Sequence, residues 1–142
     1  MAAFVLLNLL TFGCSKGDPN FPGYKVASGD LTSFVLDSAV YYGARRPSTN
    51  GLQKLQAEWR YKADKDGVHI YSVGDNFHAI ESMLRTAFGP PAIPPKTNEN
   101  ARVSGGVYAA PAIGVAIQFL YEETKQGRYT VVLIVRPKAL NL

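Results

Sequence analysis

Two apolar runs near the end of the chain, Ile113 to Tyr121 and Tyr129 to Val135, limit what this sequence can fold into more than any other feature. Both are rich in β-branched and aromatic residues, and Thr124-Lys125-Gln126-Gly127 between them has turn composition. A strand that is apolar on both faces has to be covered on both faces. The pair therefore reads as a hairpin buried centrally in a sheet. Pro111 and Pro137 stand at its ends, where a missing amide donor is tolerated.

A second hairpin precedes it. Leu52 to Lys62 and Val68 to Val73 flank Asp64-Lys65-Asp66-Gly67, in which Asp66-Gly67 supplies a positive-φ turn position. Between the hairpins, Phe77, Ile80, Leu84, Ala87 and Phe88 recur at helical spacing. They predict a helix over about 75–88, capped by Asp75 and stopped by Gly89-Pro90-Pro91. Leu31 to Tyr42 is ambiguous: alternation of Phe34, Leu36, Ser38, Val40 and Tyr42 favours a strand, and a helix capped by Asp30 is its rival. Arg45 to Gly51 is a loop, and Pro90 to Pro95 is a polyproline-like spacer. That spacer continues through a polar run to Gly106, a long connection of the kind that is functional or mobile. The expectation is an α+β domain: a small antiparallel sheet of about four to five strands with one main helix packed on a face.

At 142 residues, 46% hydrophobic and 18% charged, the chain fits one globular domain. Its net charge of +4 is modest, and the stretch 44–62 alone carries as much, through Arg45, Arg46, Lys54, Arg60 and Lys62 against Glu58. These five cations are interleaved with Tyr41, Tyr42, Trp59 and Tyr61, a mixture used by membrane-facing surfaces and by single-strand nucleic-acid binders. In a strand, however, Trp59 and Tyr61 share one face while Arg60 and Lys62 share the other. An apolar core face backed by a solvated one is the first expectation, membrane or envelope contact through the five cations the second, and nucleic acid the last.

No catalytic constellation stands out. His69 and His78 lack a metal-ligand spacing, and Val103-Ser104-Gly105-Gly106 lacks the strand-to-helix context of a nucleophile elbow. Asp64-x-Asp66-Gly67 has the opening of a calcium loop without its later oxygen ligands, and no phosphate-binding glycine motif is present. Glu122 and Glu123, as strand neighbours, point to opposite faces and read as a solvated turn. No cofactor is expected. The rival reading is an exported enzyme whose residues come from the 89–106 loop and the sheet edge. A cleft lined by His69, Asp64 or Glu81 would favour it, and an exposed aromatic-basic or apolar patch would favour a binding module.

The single cysteine, Cys14, excludes an intramolecular disulfide and any cysteine-based zinc cluster. It follows an uncharged apolar run, Ala2 to Gly13, of signal-peptide length and too short to span a bilayer. An apolar run, then Gly13, Cys14 and the polar Ser15-Lys16-Gly17-Asp18-Pro19 together resemble the leader of a bacterial lipoprotein. The resemblance covers residues 1–19. It implies that the Cys14 thiol receives a diacylglycerol, that the leader is removed, and that the new amine is acylated. Phe12, bulky where the class has a small residue, and the lack of Lys or Arg before the run are departures. An ordinary cleaved signal peptide and an uncleaved segment on a soluble domain are the other readings. The resulting organisation is an export leader over 1–14, a flexible tether over 15–30 and one α+β domain over 31–142. The expected role is a small exported lipoprotein, anchored by lipid and facing the periplasm or cell exterior, that binds or positions another envelope component.

Overall fold

The computed structural model describes residues 17–74, 76–96, 105–108 and 113–137. Both expected hairpins form, as β2 (Gln56–Ala63) with β3 (Gly67–Val73) and β5 (Ala116–Thr124) with β6 (Gly127–Val135). They join through an antiparallel β3–β6 ladder in which Ile70 faces Val132. β1 (Lys25–Asp30) is added outside β2, and β4 (Gly105–Tyr108) outside β5. The sheet thus has six strands in the order β1-β2-β3-β6-β5-β4, where four to five were expected. The apolar run of β6 is central, with a partner on each side, as its composition demands.

Two further expectations are corrected. Residues 25–30, assigned to a flexible tether, form edge strand β1, with Ala27 fully buried opposite Trp59. The folded domain therefore begins before residue 31. Leu31–Tyr42 is a helix, α1, and not a strand. The Asp30 carboxylate accepts from Thr32 N–H at 3.1 Å and from the Ser33 hydroxyl at 2.6 Å, while Gly43, at φ 124°, returns its N–H to Ala39 and Val40 carbonyls. The alternating pattern arose because this helix is buried around most of its circumference, which removes the one-sided stripe that marks a surface helix.

α2 (Phe77–Phe88) forms where its periodicity predicts, burying Phe77, Ile80, Met83 and Leu84. Its expected cap, Asp75, lies outside the described residues. Asn76 at the helix start instead uses its side-chain amide to bond Ser72 Oγ and the Val73 carbonyl, and its backbone N–H donates to Thr130 Oγ1. The Ser72 and Thr130 hydroxyls are themselves fully buried, so each has a partner where water is absent.

Both helices pack on the face of the sheet that carries Trp59, Tyr61, Ile70, Val132 and Phe119. α1 lies across β1, β2 and β6, with the Phe34 ring tilted against Trp59 at 4.9 Å and Tyr61 at 5.0 Å, and α2 sets Phe77 5.1 Å from Phe119 of β5. The core face expected of Trp59 and Tyr61 is therefore real. Within the proline-rich spacer, Ile93 exchanges two backbone hydrogen bonds with Val107 and so runs beside β4.

Candidate functional site

The opposite face of the sheet carries Arg60 on β2, His69 and Tyr71 on β3, Tyr129, Val131 and Leu133 on β6, and Leu120 and Glu122 on β5. Among the described residues no helix covers it. Residues 17–24 do, as two successive turns. Phe21 N–H donates to the Asp18 carbonyl at 2.9 Å, Tyr24 N–H to the Phe21 carbonyl at 3.1 Å, and Asn20 N–H to the Asp18 carboxylate at 2.9 Å. Three-residue spacing brings Asp18, Phe21 and Tyr24 onto the sheet together. The Asp18 carboxylate meets Arg60 Nε at 2.9 Å. The Phe21 ring lies 5.0 Å from Tyr71 and 5.2 Å from Tyr129. The Tyr24 hydroxyl is hydrogen-bonded to His69 Nδ1 at 3.0 Å, and His69 stacks on Tyr71 at 4.7 Å. The rings of Phe21, Tyr24, His69, Tyr71 and Tyr129 form one contiguous aromatic cluster.

Electrostatics follow the burial. Desolvation pushes the Tyr24 and Tyr71 hydroxyls above their ordinary range, with the nearby Glu122 carboxylate adding to the effect. Glu122 is thus part of this cluster and not only a turn residue. Arg60 bonds Glu58 as well as Asp18, and these carboxylates outweigh the burial that opposes its charge. Burial alone holds His69 below the ordinary histidine value of 6.5. Its neighbours across the ladders are Lys62 and Leu133, neither a carboxylate that would favour imidazolium.

The folded domain consequently binds fewer protons at His69 than the unfolded chain. This contribution to stability is complete above pH 6.5 and is lost as pH falls through the lower folded value. Urea midpoints measured from about pH 7.5 down to about pH 5.5 should fall, and His69→Gln should flatten that slope. An equal slope in the variant would remove His69 as its source.

The five cations singled out in sequence do not form one patch. Arg45 and Arg46 are exposed after α1 and line a cavity of about 160 Å³ with Pro47, Ala87, Phe88 and Ile113. Arg46 there opposes the burial that raises the Asp37 carboxyl. Lys54 lines a groove of about 310 Å³ between the 51–55 loop and the two helices, floored by Leu55 and Met83 and edged by Ser82 and Thr86. Arg60 and Lys62 lie on the strap-covered face, with the Lys62 ammonium beside Gly23. Their aromatic neighbours face elsewhere. Trp59 and Tyr61 are in the core, and buried Tyr42 donates its hydroxyl, pushed up to about 12 by desolvation first, to the Asp64 carbonyl.

The residues named for an enzymatic reading each have a separate local partner. The Asp64 carboxylate accepts from Asp66 and Gly67 N–H groups in the hairpin turn, Glu81 pairs with Arg85 one helical turn on, and His69 binds Tyr24. None of them lines either cavity described above. His78 is exposed on α2, edge-on to Phe77, and Ser104 lies outside the described residues. Among the described residues no group of three or more His, Cys, Asp or Glu is placed to hold a metal ion. Sequence reasoning missed Asp18, Phe21, Tyr24, Tyr71 and Tyr129. Asp18-Pro19 and Phe21-Pro22-Gly23 have turn composition, but nothing local in the sequence shows their contact with strands far along the chain.

No protein-family model matches this chain, and neither a curated protein nor a solved structure does.

Proposed function

We propose that this is a small exported lipoprotein, held at a membrane by acyl chains on Cys14, whose α+β domain binds or positions another component of the cell envelope. The observation that carries this reading is the single cysteine at the end of an uncharged apolar run, directly after Gly13 and followed by a polar stretch. In this reading the Asp18–Arg60 ion pair, only a few residues further on, would keep a domain anchored at Cys14 close to the bilayer. Among the described residues no helix is long and apolar enough to cross a membrane. Acyl chains supply the attachment in this reading: each buried methylene contributes about 0.8 kcal/mol, and two or more chains hold stably where one does not.

Mass spectrometry of the mature N-terminus tests the proposal in cells. The protein should begin at Cys14, carry acyl mass and fractionate with membranes, and Cys14→Ser should release it to the soluble fraction. Crosslinking of the intact protein should then enrich an envelope component over a lipoprotein control. An unacylated Cys14, or unchanged membrane fractionation of Cys14→Ser, would overturn the anchor, and no enrichment would overturn the positioning role.

A further inference from the structure

We propose that residues 17–24 are a docked but releasable strap that sets how far the domain stands from its membrane anchor. The inference rests on the Cys14 attachment proposed above for its outcome, though the docking itself is a property of the fold.

The strap is bound unlike any other part of the sheet. Among the described residues, no backbone hydrogen bond joins 17–24 to a strand, and the ladder begins only at Lys25, opposite Tyr61. Its hold consists of side-chain contacts: the Asp18–Arg60 ion pair, the Phe21 ring on Tyr71 and Tyr129, and Tyr24 on His69 and Tyr71. Segments held by few contacts, with no shared ladder, open locally at much lower cost than the whole fold. Pro19, Asn20, Pro22 and Gly23 are exposed on the outer side. The two backbone bonds within the strap, from Phe21 N–H to the Asp18 carbonyl and from Tyr24 N–H to the Phe21 carbonyl, are isolated turns that open once the side-chain contacts are lost.

Geometry gives the consequence. With Asp18 pinned to Arg60, only the chain from Cys14 to Asp18 separates anchor from domain, a span of at most ~14 Å. With the strap free, the chain from Cys14 to Lys25 becomes tether and reaches up to ~40 Å. A partner near the bilayer is met with the strap docked, and a more distant one draws it off. Release bares Tyr71 and Tyr129, the latter only 5% exposed when covered, so re-docking is favoured once the pull ends.

The experiment uses full-length lipidated protein in phosphatidylglycerol–phosphatidylethanolamine vesicles that contain a dansyl-headgroup lipid. Hydrogen exchange reports the strap, and energy transfer from Trp59, the only tryptophan, reports the height of the domain. Strap amides at Phe21 and Tyr24 should exchange at least about tenfold faster than those of β3 and β6, yet slower than free chain. The double variant Asp18→Asn with Phe21→Ala should bring them close to the free-chain rate and lower the energy transfer, with the urea midpoint of the domain nearly unchanged. Tyr24→Phe, which removes only one hydroxyl, should fall between.

Strap exchange as slow as the sheet, or loss of the whole fold in both variants, would overturn the proposal by making the strap part of the core. Unaltered energy transfer with a freed strap would overturn its role in height. The same exchange measured on Cys14→Ser in solution separates the two readings, because missing acyl mass defeats the anchor while strap exchange still reports docking.

Discussion

Trp59→Ala should lower the unfolding free energy by about 3–5 kcal/mol, a large part of the 5–15 kcal/mol typical of a domain. Trp59 is fully buried on β2, and its ring is the surface on which Phe34 of α1 rests. The residues directly across from it, Ala27 on β1 and Ser72 on β3, are small, so neither can move in to fill the space that the indole leaves. Trp59→Phe should cost much less than its lost volume implies. Among the described residues the indole N–H has no hydrogen-bond partner, and removing such an orphan donor regains about 1–3 kcal/mol of desolvation penalty. Urea unfolding of both variants measures the contrast. Equal destabilisation by phenylalanine and alanine would mean that the N–H is satisfied after all.

The second large effect is expected at Gly67, the first residue of β3. Sequence chemistry assigned it a positive-φ turn role, and the structure corrects this, because Gly67 is absent from the glycines with positive φ. It is needed for space. A Cβ there would run into the Ile134 carbonyl oxygen and sit 3.0 Å from Val135 Cα, backbone atoms that cannot rotate aside. Asp64 also pins this residue by accepting its N–H at 3.1 Å. Gly67→Ala should therefore force the β3–β6 ladder apart at its Val135 end and destabilise by about 3 kcal/mol, at the upper end of overpacking effects. Gly51 makes the control, at φ 80° with nothing near its would-be Cβ. Gly51→Ala should show only the left-handed backbone cost of about 1–2 kcal/mol. If Gly67→Ala is no worse than Gly51→Ala in urea, the close approach is not what selects glycine.

Both hairpins and α2 were legible because each announces itself locally, through apolar runs of strand length, turn residues between them, and a one-sided helical stripe. The α1 segment failed on periodicity because burial on several sides mixes the pattern, although Asp30 before it and Gly43 after it carried the boundary information. β1 and β4 were missed for a different reason. Lys25–Asp30 and Gly105–Tyr108 are short and contain glycine, and they become strands by pairing with β2 and β5. The five cations were singled out because they are close in sequence, but the turn after α1, the 51–55 loop and the outer face of β2 carry them to three places. The strap was illegible because its partners, His69, Tyr71 and Tyr129, are set by sheet register, which no local rule reveals.

The order of the strands also bears on how the chain reaches this state. β2 with β3 and β5 with β6 can each form from neighbouring sequence, but the β3–β6 ladder that unites them links residues from opposite halves of the domain. Closing that long loop carries an entropic cost before any contact rewards it, so union of the two hairpins should be slower than formation of either one. Until β6 has paired, β3 presents an unpaired backbone edge beside Val68 and Ile70. The chain is therefore most open to wrong strand pairing in the interval before β6 docks on β3.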